Sequence, residues 1–193
     1  MRVALLASGR GSNARALMDA AAEPDSPFRI VGLLSDHEGA GALDLARERD
    51  LPAVAVPRVR GEAKAAHEAR VAKAMRGWAP DVLALAGYMR VMSGEFIATW
   101  GGRIVNIHPS LLPRHPGLGT HARALVAGDE RHGCTVHWVT EGVDEGPVIA
   151  QASLAVGQDD DAETLGERVL ALEHRLYRTA LCDIARTFRD TRT

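Results

Sequence analysis

The chain is short of several things that would direct it elsewhere. It has only two cysteines among 193 residues, Cys134 and Cys182, and they lack the close spacing of a metal site or a redox pair. They are expected to be buried free thiols in a reducing compartment. It has no basic excess: 23 Lys and Arg against 25 Asp and Glu give a formal net charge of −2. A strong positive field is the electrostatic footprint of a nucleic-acid binder, so no nucleic acid is expected as partner. No apolar run is long enough to cross a bilayer, and the opening stretch Val3 to Ala7 is too short for the core of a secretory signal. No membrane partner and a cytoplasmic location are therefore expected. Repeats, low-complexity tracts and linkers are missing as well, and the histidines show no metal-ligand spacing, so no metal is expected.

What is present fits one soluble α/β domain: 46% hydrophobic and 25% charged residues, enough for a sizeable core. Short apolar runs alternate with helical patterns. Val3–Ala7, Phe28–Leu34, Ala53–Val56, Val82–Ala86 and Ile104–Ile107 read as strands. Asn13–Ala22, Ala40–Arg49 and Glu62–Arg76 read as helices between them. Such alternation predicts right-handed βαβ units and a parallel sheet. The pattern changes after His132, where Cys134–Val139 and Val148–Ala155 predict an antiparallel pair, and Ala162–Thr187 predicts one long helix. The expected architecture is a single Rossmann-like α/β domain spanning 1–193: a mostly parallel twisted sheet, an antiparallel C-terminal extension and a long closing helix.

Ligands of such sheets sit beyond the carboxyl ends of the strands. Three polar clusters fall there: Ser8–Asn13, Gly87–Met92 and Asn106–Pro113. In the first, glycines allow close backbone approach and a helix start offers free N–H groups to an anion, with Ser12 or Asn13 suited to the N-cap. The run Gly9-x-Gly11-x-x-Ala14 also loosely matches a dinucleotide fingerprint, with Asp36 as the ribose-binding acid. From this loop alone a phosphate ester, a dinucleotide and an unliganded tight turn all stay open.

The third cluster suits acyl transfer. An amine attacking a formyl carbon builds negative charge on the carbonyl oxygen, which an Asn amide and a His imidazolium can both stabilise. Asn106 and His108, two apart, share one face of a strand, and Pro109 keeps His108 extended. A nearby carboxylate could take up the proton that the attacking amine releases. Of the eight histidines, most, including His67 and His132, are expected to be ordinary surface residues.

The run Asn106–Pro113 followed by Pro116-Gly117 resembles the hydrolase and transferase superfamily that uses 10-formyltetrahydrofolate. The later runs Val136–Thr140 and Asp144–Ile149, with Gln151, are similar to that family's second signature. Ser8–Asn13 and the pair Glu173-His174 narrow the resemblance to its phosphoribosylglycinamide formyltransferase branch, in purine biosynthesis. The resemblance covers nearly the whole chain in the right order. It implies that Asn106, His108 and Asp144 are catalytic, with Asp144 pairing with His108 and organising a proton-relaying water. It implies that Gly11, Ser12 and Asn13 hold the substrate phosphate and that Glu173 binds its amine. The co-substrate would be 10-formyltetrahydrofolate. Met89, Arg90, Val91 and Met92, with Asn106, Val139, Thr140, Glu141, Gly142, Val143 and Asp144, would line its pocket, and Lys64 would stand near its tail. It also implies a cis Leu112–Pro113 bond, small-molecule substrates, and a monomer or homodimer.

Gly119 stands where the family often carries a histidine or bulky residue able to contact the catalytic aspartate. Arg10 could add positive charge toward the phosphate. Two relatives share the trio: a deformylase with an extra N-terminal domain, and a transfer-RNA formyltransferase with an extra C-terminal one. Neither extra domain is expected here. A nicotinamide oxidoreductase leaves Asn106, His108 and Asp144 without a role, and a non-catalytic nucleotide-binding module leaves His108 dispensable.

Overall fold

The apolar run after Arg2 becomes the centre of a seven-stranded sheet. In a computed structural model describing residues 1–190, β1 (Arg2–Ala7) lies between β2 (Arg29–Ser35) and β4 (Val82–Leu85), parallel to both. Its side chains alternate between two apolar layers. Val3, Leu5 and Ala7 pack with Leu17, Leu43 and Tyr177 on one face; Ala4 and Leu6 pack with Leu34, Met75 and Phe96 on the other. A strand covered on both faces must be apolar throughout, hence the unbroken run.

The strand order is β3-β2-β1-β4-β5-β6-β7, with β3 at Ala53–Ala55, β5 at Ile104–His108, β6 at Arg131–Trp138 and β7 at Val148–Ala155. The first five in this order are parallel, and β6 and β7 run antiparallel, as the sequence pattern predicts. The chain winds outward from β1 in one direction through β2 and β3, then in the other through β4 and β5. The crevice between β1 and β4 is thus the topological switch point, where open α/β sheets bind ligands.

Helices α1 (Ser12–Ala21), α2 (Gly41–Arg47) and α3 (Lys64–Met75) follow β1, β2 and β3, and α6 (Ala162–Asp190) packs on α1, β6 and β7. Two short helices were not anticipated: α4 (Gly94–Thr99) and α5 (Thr120–Val126). Each spans fewer than two turns, too few to display a 3.6-residue period. Helix α3 starts two residues later than its charge pattern suggests. Glu62 is drawn back instead to accept from the Val59 N–H at 3.0 Å and from Arg70 at 2.7 Å.

Tyr177 of α6 is fully buried. Its hydroxyl lies 3.1 Å from the carbonyls of both Leu85 and Val105, and its single proton is shared between them. It ties the end of β4 to the start of β5, the strands that lead into two of the polar clusters. Among the described residues no helix is long and apolar enough to cross a membrane. Cys134 is buried and its thiol is pushed up to about 12 by burial, whereas Cys182 is only half-buried, packed against the edge of the core.

Candidate functional site

Asn106 and His108 project from the end of β5, and the antiparallel pairing sets Asn106 opposite His137 and His108 opposite Thr135. Asp144 lies on the turn between β6 and β7 with a left-handed backbone, φ 58°. That turn must pass close to β6: a Cβ on Gly146 would come within 1.7 Å of the Trp138 carbonyl, so only glycine fits. The turn carries the Asp144 carboxylate to His108, whose Nδ1 is 3.2 Å from Oδ2. The same oxygen accepts from the Gly117 N–H at 2.8 Å.

His108 is buried, and its other ring nitrogen, Nε2, faces the His115 carbonyl at 3.0 Å. Both nitrogens therefore face oxygen acceptors, and a ring protonated on both donates to both. One donor goes to a fixed carboxylate. The other goes to a loop carbonyl, an acceptor that a ligand oxygen can replace.

His137, within the run Val136–Thr140, has no role that its sequence position alone implies, and the structure makes it part of the site. Its Nε2 lies 3.2 Å from the Asn106 amide nitrogen and 3.6 Å from Asp144 Oδ1, while its Nδ1 bonds the Trp138 carbonyl at 3.0 Å. With Nδ1–H donating to Trp138, Nε2 is the acceptor, and it fixes which way the Asn106 amide points. Burial holds the His137 pKa below its ordinary value and so keeps the ring a neutral acceptor. The signal available in the sequence was register: once β5 and β6 pair, His137 faces Asn106.

The segment after His108 is held from below. Thr135 donates its hydroxyl to the Ser110 carbonyl at 2.7 Å and accepts from the Leu112 N–H at 3.1 Å. Gln151 donates to the Leu112 carbonyl at 2.9 Å. The Leu112–Pro113 bond is cis, as expected. Gly119 has φ 68° and starts α5, and a Cβ there would meet nothing within 4 Å. Asp144 Oδ2 is taken by His108 and the Gly117 N–H.

His132 is not a surface residue. It is 1% exposed, its Nε2 is 3.1 Å from His121 Nδ1, and burial pushes its pKa down to about 4. His67 is also buried, with Nε2 2.8 Å from the Val56 carbonyl. Both rings sit on inward faces of their elements, and a satisfied hydrogen bond makes that burial tolerable.

At the N-terminal loop the helix cap is Gly11, not Ser12 or Asn13. Its φ is 81°, and a Cβ would come within 2.6 Å of the Ala42 methyl, so glycine alone fits. The first N–H groups of α1 have no intrahelical acceptor, which leaves them for an anion. Asn13 turns its side chain inward instead of capping, and its Nδ2 donates to Glu173 Oε2 at 2.9 Å. Asn13 Oδ1 is buried without a protein partner among the described residues. Glu173 is itself buried, 6% exposed. Burial raises its pKa to about 7, with the Asn13 bond opposing.

Asp36 is not free to act as a ribose acceptor. It is 2% exposed and its carboxylate is paired with Arg90 at 2.6 Å. The nicotinamide reading loses its acid on this observation. Met89 to Met92 line a cavity of about 320 Å³ together with Lys64, and Val71 and Phe96 supply apolar wall. Val139 packs into the same apolar layer as Met92 and Phe96, and the Glu141 side chain lies against Gly94. Thr140, Gly142 and Val143 are on the turn beside Asp144 and outside the cavity wall. The three clusters do converge at the switch point: the Ser8 N–H donates to the Gly87 carbonyl at 3.0 Å, and β4 pairs with β5 up to Asn106.

Residues 1–181 match the family model described as formyl transferase. A crystal structure of phosphoribosylglycinamide formyltransferase from Brucella melitensis is 50% identical, with a TM-score of 0.91 over 95% of each chain. The phosphoribosylglycinamide formyltransferase of Escherichia coli is 38% identical over 92% of this chain and 84% of its own length. The trifunctional purine biosynthetic protein adenosine-3 of Bos taurus is 40% identical over 93% of this chain, which spans only 18% of that longer protein.

Proposed function

Because the chain belongs to the formyl transferase family, we propose that it moves a formyl group from 10-formyltetrahydrofolate to the amine of 5'-phosphoribosylglycinamide. A C–N bond to the amine forms and the bond to the folate nitrogen breaks. The proton lost by the amine ends on the departing tetrahydrofolate. The observation that carries the reading is the arrangement of Asn106, His108 and Asp144, with donors on one side and a carboxylate behind.

The formyl oxygen takes the place of the His115 carbonyl at His108 Nε2 and accepts a second bond from the Asn106 amide. As the amine attacks, charge on that oxygen is met by two donors already oriented, one by Asp144 and one by His137. Removing one such donor elsewhere costs about 10²–10³ in rate, which sets the scale of each contribution. Asp144 holds the His108 ring through Nδ1 and accepts the amine proton through a bound water.

The ribonucleotide phosphate sits at the start of α1, on the N–H groups of Gly11, Ser12 and Asn13, with Arg10 exposed beside it. Glu173 accepts hydrogen bonds from the same substrate, next to Asn13. The folate occupies the second arm of the crevice. Its heterocycle is read by backbone groups of Met89 to Met92 and Val139 to Asp144, and its tail points past Lys64.

The test is release of tetrahydrofolate from 10-formyltetrahydrofolate with and without the ribonucleotide. Release that depends on the ribonucleotide is the expected result. Equal release without it means hydrolysis in place of transfer, and no release in either case removes the reading.

A further inference from the structure

Asp36, at the end of β2, has no part in the chemistry described above, yet three elements converge on it. Its Oδ1 lies 2.9 Å from His37 Nδ1, its Oδ2 takes the Arg90 Nε–H at 2.6 Å, and the Ser8 hydroxyl donates to the same carboxylate. Ser8 in turn accepts the Met89 N–H at 2.8 Å. Burial alone would raise the pKa of this carboxyl, but bonds from Ser8, His37 and Arg90 outweigh it and hold it below the ordinary value. A buried charge this well supplied with donors stays ionised and fixes whatever it holds.

What it holds is one edge of Arg90. Among the described residues only Nε–H of that guanidinium has a protein partner, and both terminal amino groups are unbonded. Arg90 lines the 320 Å³ cavity, with its side chain 38% exposed. Arg58 and Lys64 line the same wall against a single carboxylate, Glu68, which is already occupied by the Ser93 N–H and hydroxyl. The inner end, at Val71, Met92 and Phe96, is apolar. A cavity apolar inside and cationic at its rim suits an aromatic body with a carboxylate-bearing tail.

We propose that Asp36 is a positioning residue for that tail: it grips Arg90 by Nε so that both terminal amino groups present a fork to a carboxylate of the folate glutamate. This rests on the formyl-transfer reading of the site. A planar guanidinium held on one edge by a carboxylate can still bind a second carboxylate with the other, and preorganisation removes the cost of ordering a long side chain at binding. An Asn at position 36 would offer one acceptor oxygen to three donors and set its own amide N–H groups against one of them.

The experiment is calorimetric binding of tetrahydrofolate and of its tail-less N-methylamide, which keeps the heterocycle and benzoyl group but ends in a neutral amide. Asp36→Asn is expected to weaken tetrahydrofolate by about tenfold, the scale of one charge-assisted contact, while the N-methylamide changes less than about twofold. Arg90→Lys keeps the charge next to Asp36 but has no second edge, and should lose the same discrimination. Because Arg90 is half-exposed, this variant does not depend on how the protein tolerates a change at buried Asp36. Equal weakening of both ligands, or full discrimination retained in either variant, overturns the assignment of Asp36 alone. A wild-type protein that binds neither ligand removes the formyl-transfer reading, and the proposal with it.

Discussion

The Asn13 amide donates to the Glu173 carboxylate at 2.9 Å, joining the start of the first helix to the middle of the last across 160 residues of chain. The carboxyl is buried, and its pKa is raised from 4.5 to about 7. Between those values the folded state holds a proton that the unfolded chain has released, so stability falls as pH rises through this window. Glu173→Gln removes the dependence. Denaturant unfolding of both proteins at pH 5 and pH 8 should show the wild type losing on the order of 2–3 kcal/mol relative to the variant. Parallel pH dependence would mean that Glu173 ionises in the folded protein as it does in water.

Asp144→Asn keeps the shape of the side chain and removes the charge that faces His108 Nδ1 at 3.2 Å. Turnover should fall roughly 10²–10⁴-fold, the range for a lost proton-transfer partner, with KM for either substrate changing much less. Steady-state kinetics on the purified variant decides it. Near-normal turnover would take Asp144 out of the chemistry.

His137→Phe tests the orientation of Asn106. The ring volume is kept, but the acceptor 3.2 Å from the Asn106 amide is lost. We expect kcat to fall by about tenfold, less than the 10²–10³ expected for Asn106→Ala. The double variant should be no worse than Asn106→Ala alone, since the two residues act as one unit. Additive losses would give His137 a separate role.

Thr135→Val leaves the buried Leu112 N–H and Ser110 carbonyl without their shared partner. Stability should drop by about 1–3 kcal/mol, the cost of buried polar groups left unpaired. The variant's kcat should fall too, because the segment from Ser110 leads to the His115 carbonyl at His108. A loss of stability with kcat intact would separate the Thr135 network from the site.

The long and strongly patterned parts of this molecule were legible in its sequence. The continuous run of β1, the alternation through β5 and the period of α6 each follow from burial on both faces or on one. Asn106 and His108 could be read as neighbours because strand geometry alone sets them on one face. What could not be read depends on tertiary placement. Helices α4 and α5 are too short to show a period. His132 and Glu173 look like surface residues until a β6–β7 pairing and a packed α6 bury them. Gly11 caps α1 because Ala42, from a different helix, fills the space beside it, and no local rule predicts that contact. From its place at a strand end Asp36 suits a ribose acid. Its actual partner, Arg90, lies 54 positions away.

The most direct test of the central claim is to follow the formyl carbon itself. The protein is given 10-formyltetrahydrofolate labelled with carbon-13 in the formyl group, together with 5'-phosphoribosylglycinamide, and the products are read by NMR. The account predicts label in the ribonucleotide amide, in step with tetrahydrofolate, and loss of that signal in His108→Ala. Label collecting as free formate, or remaining on the folate, would contradict it.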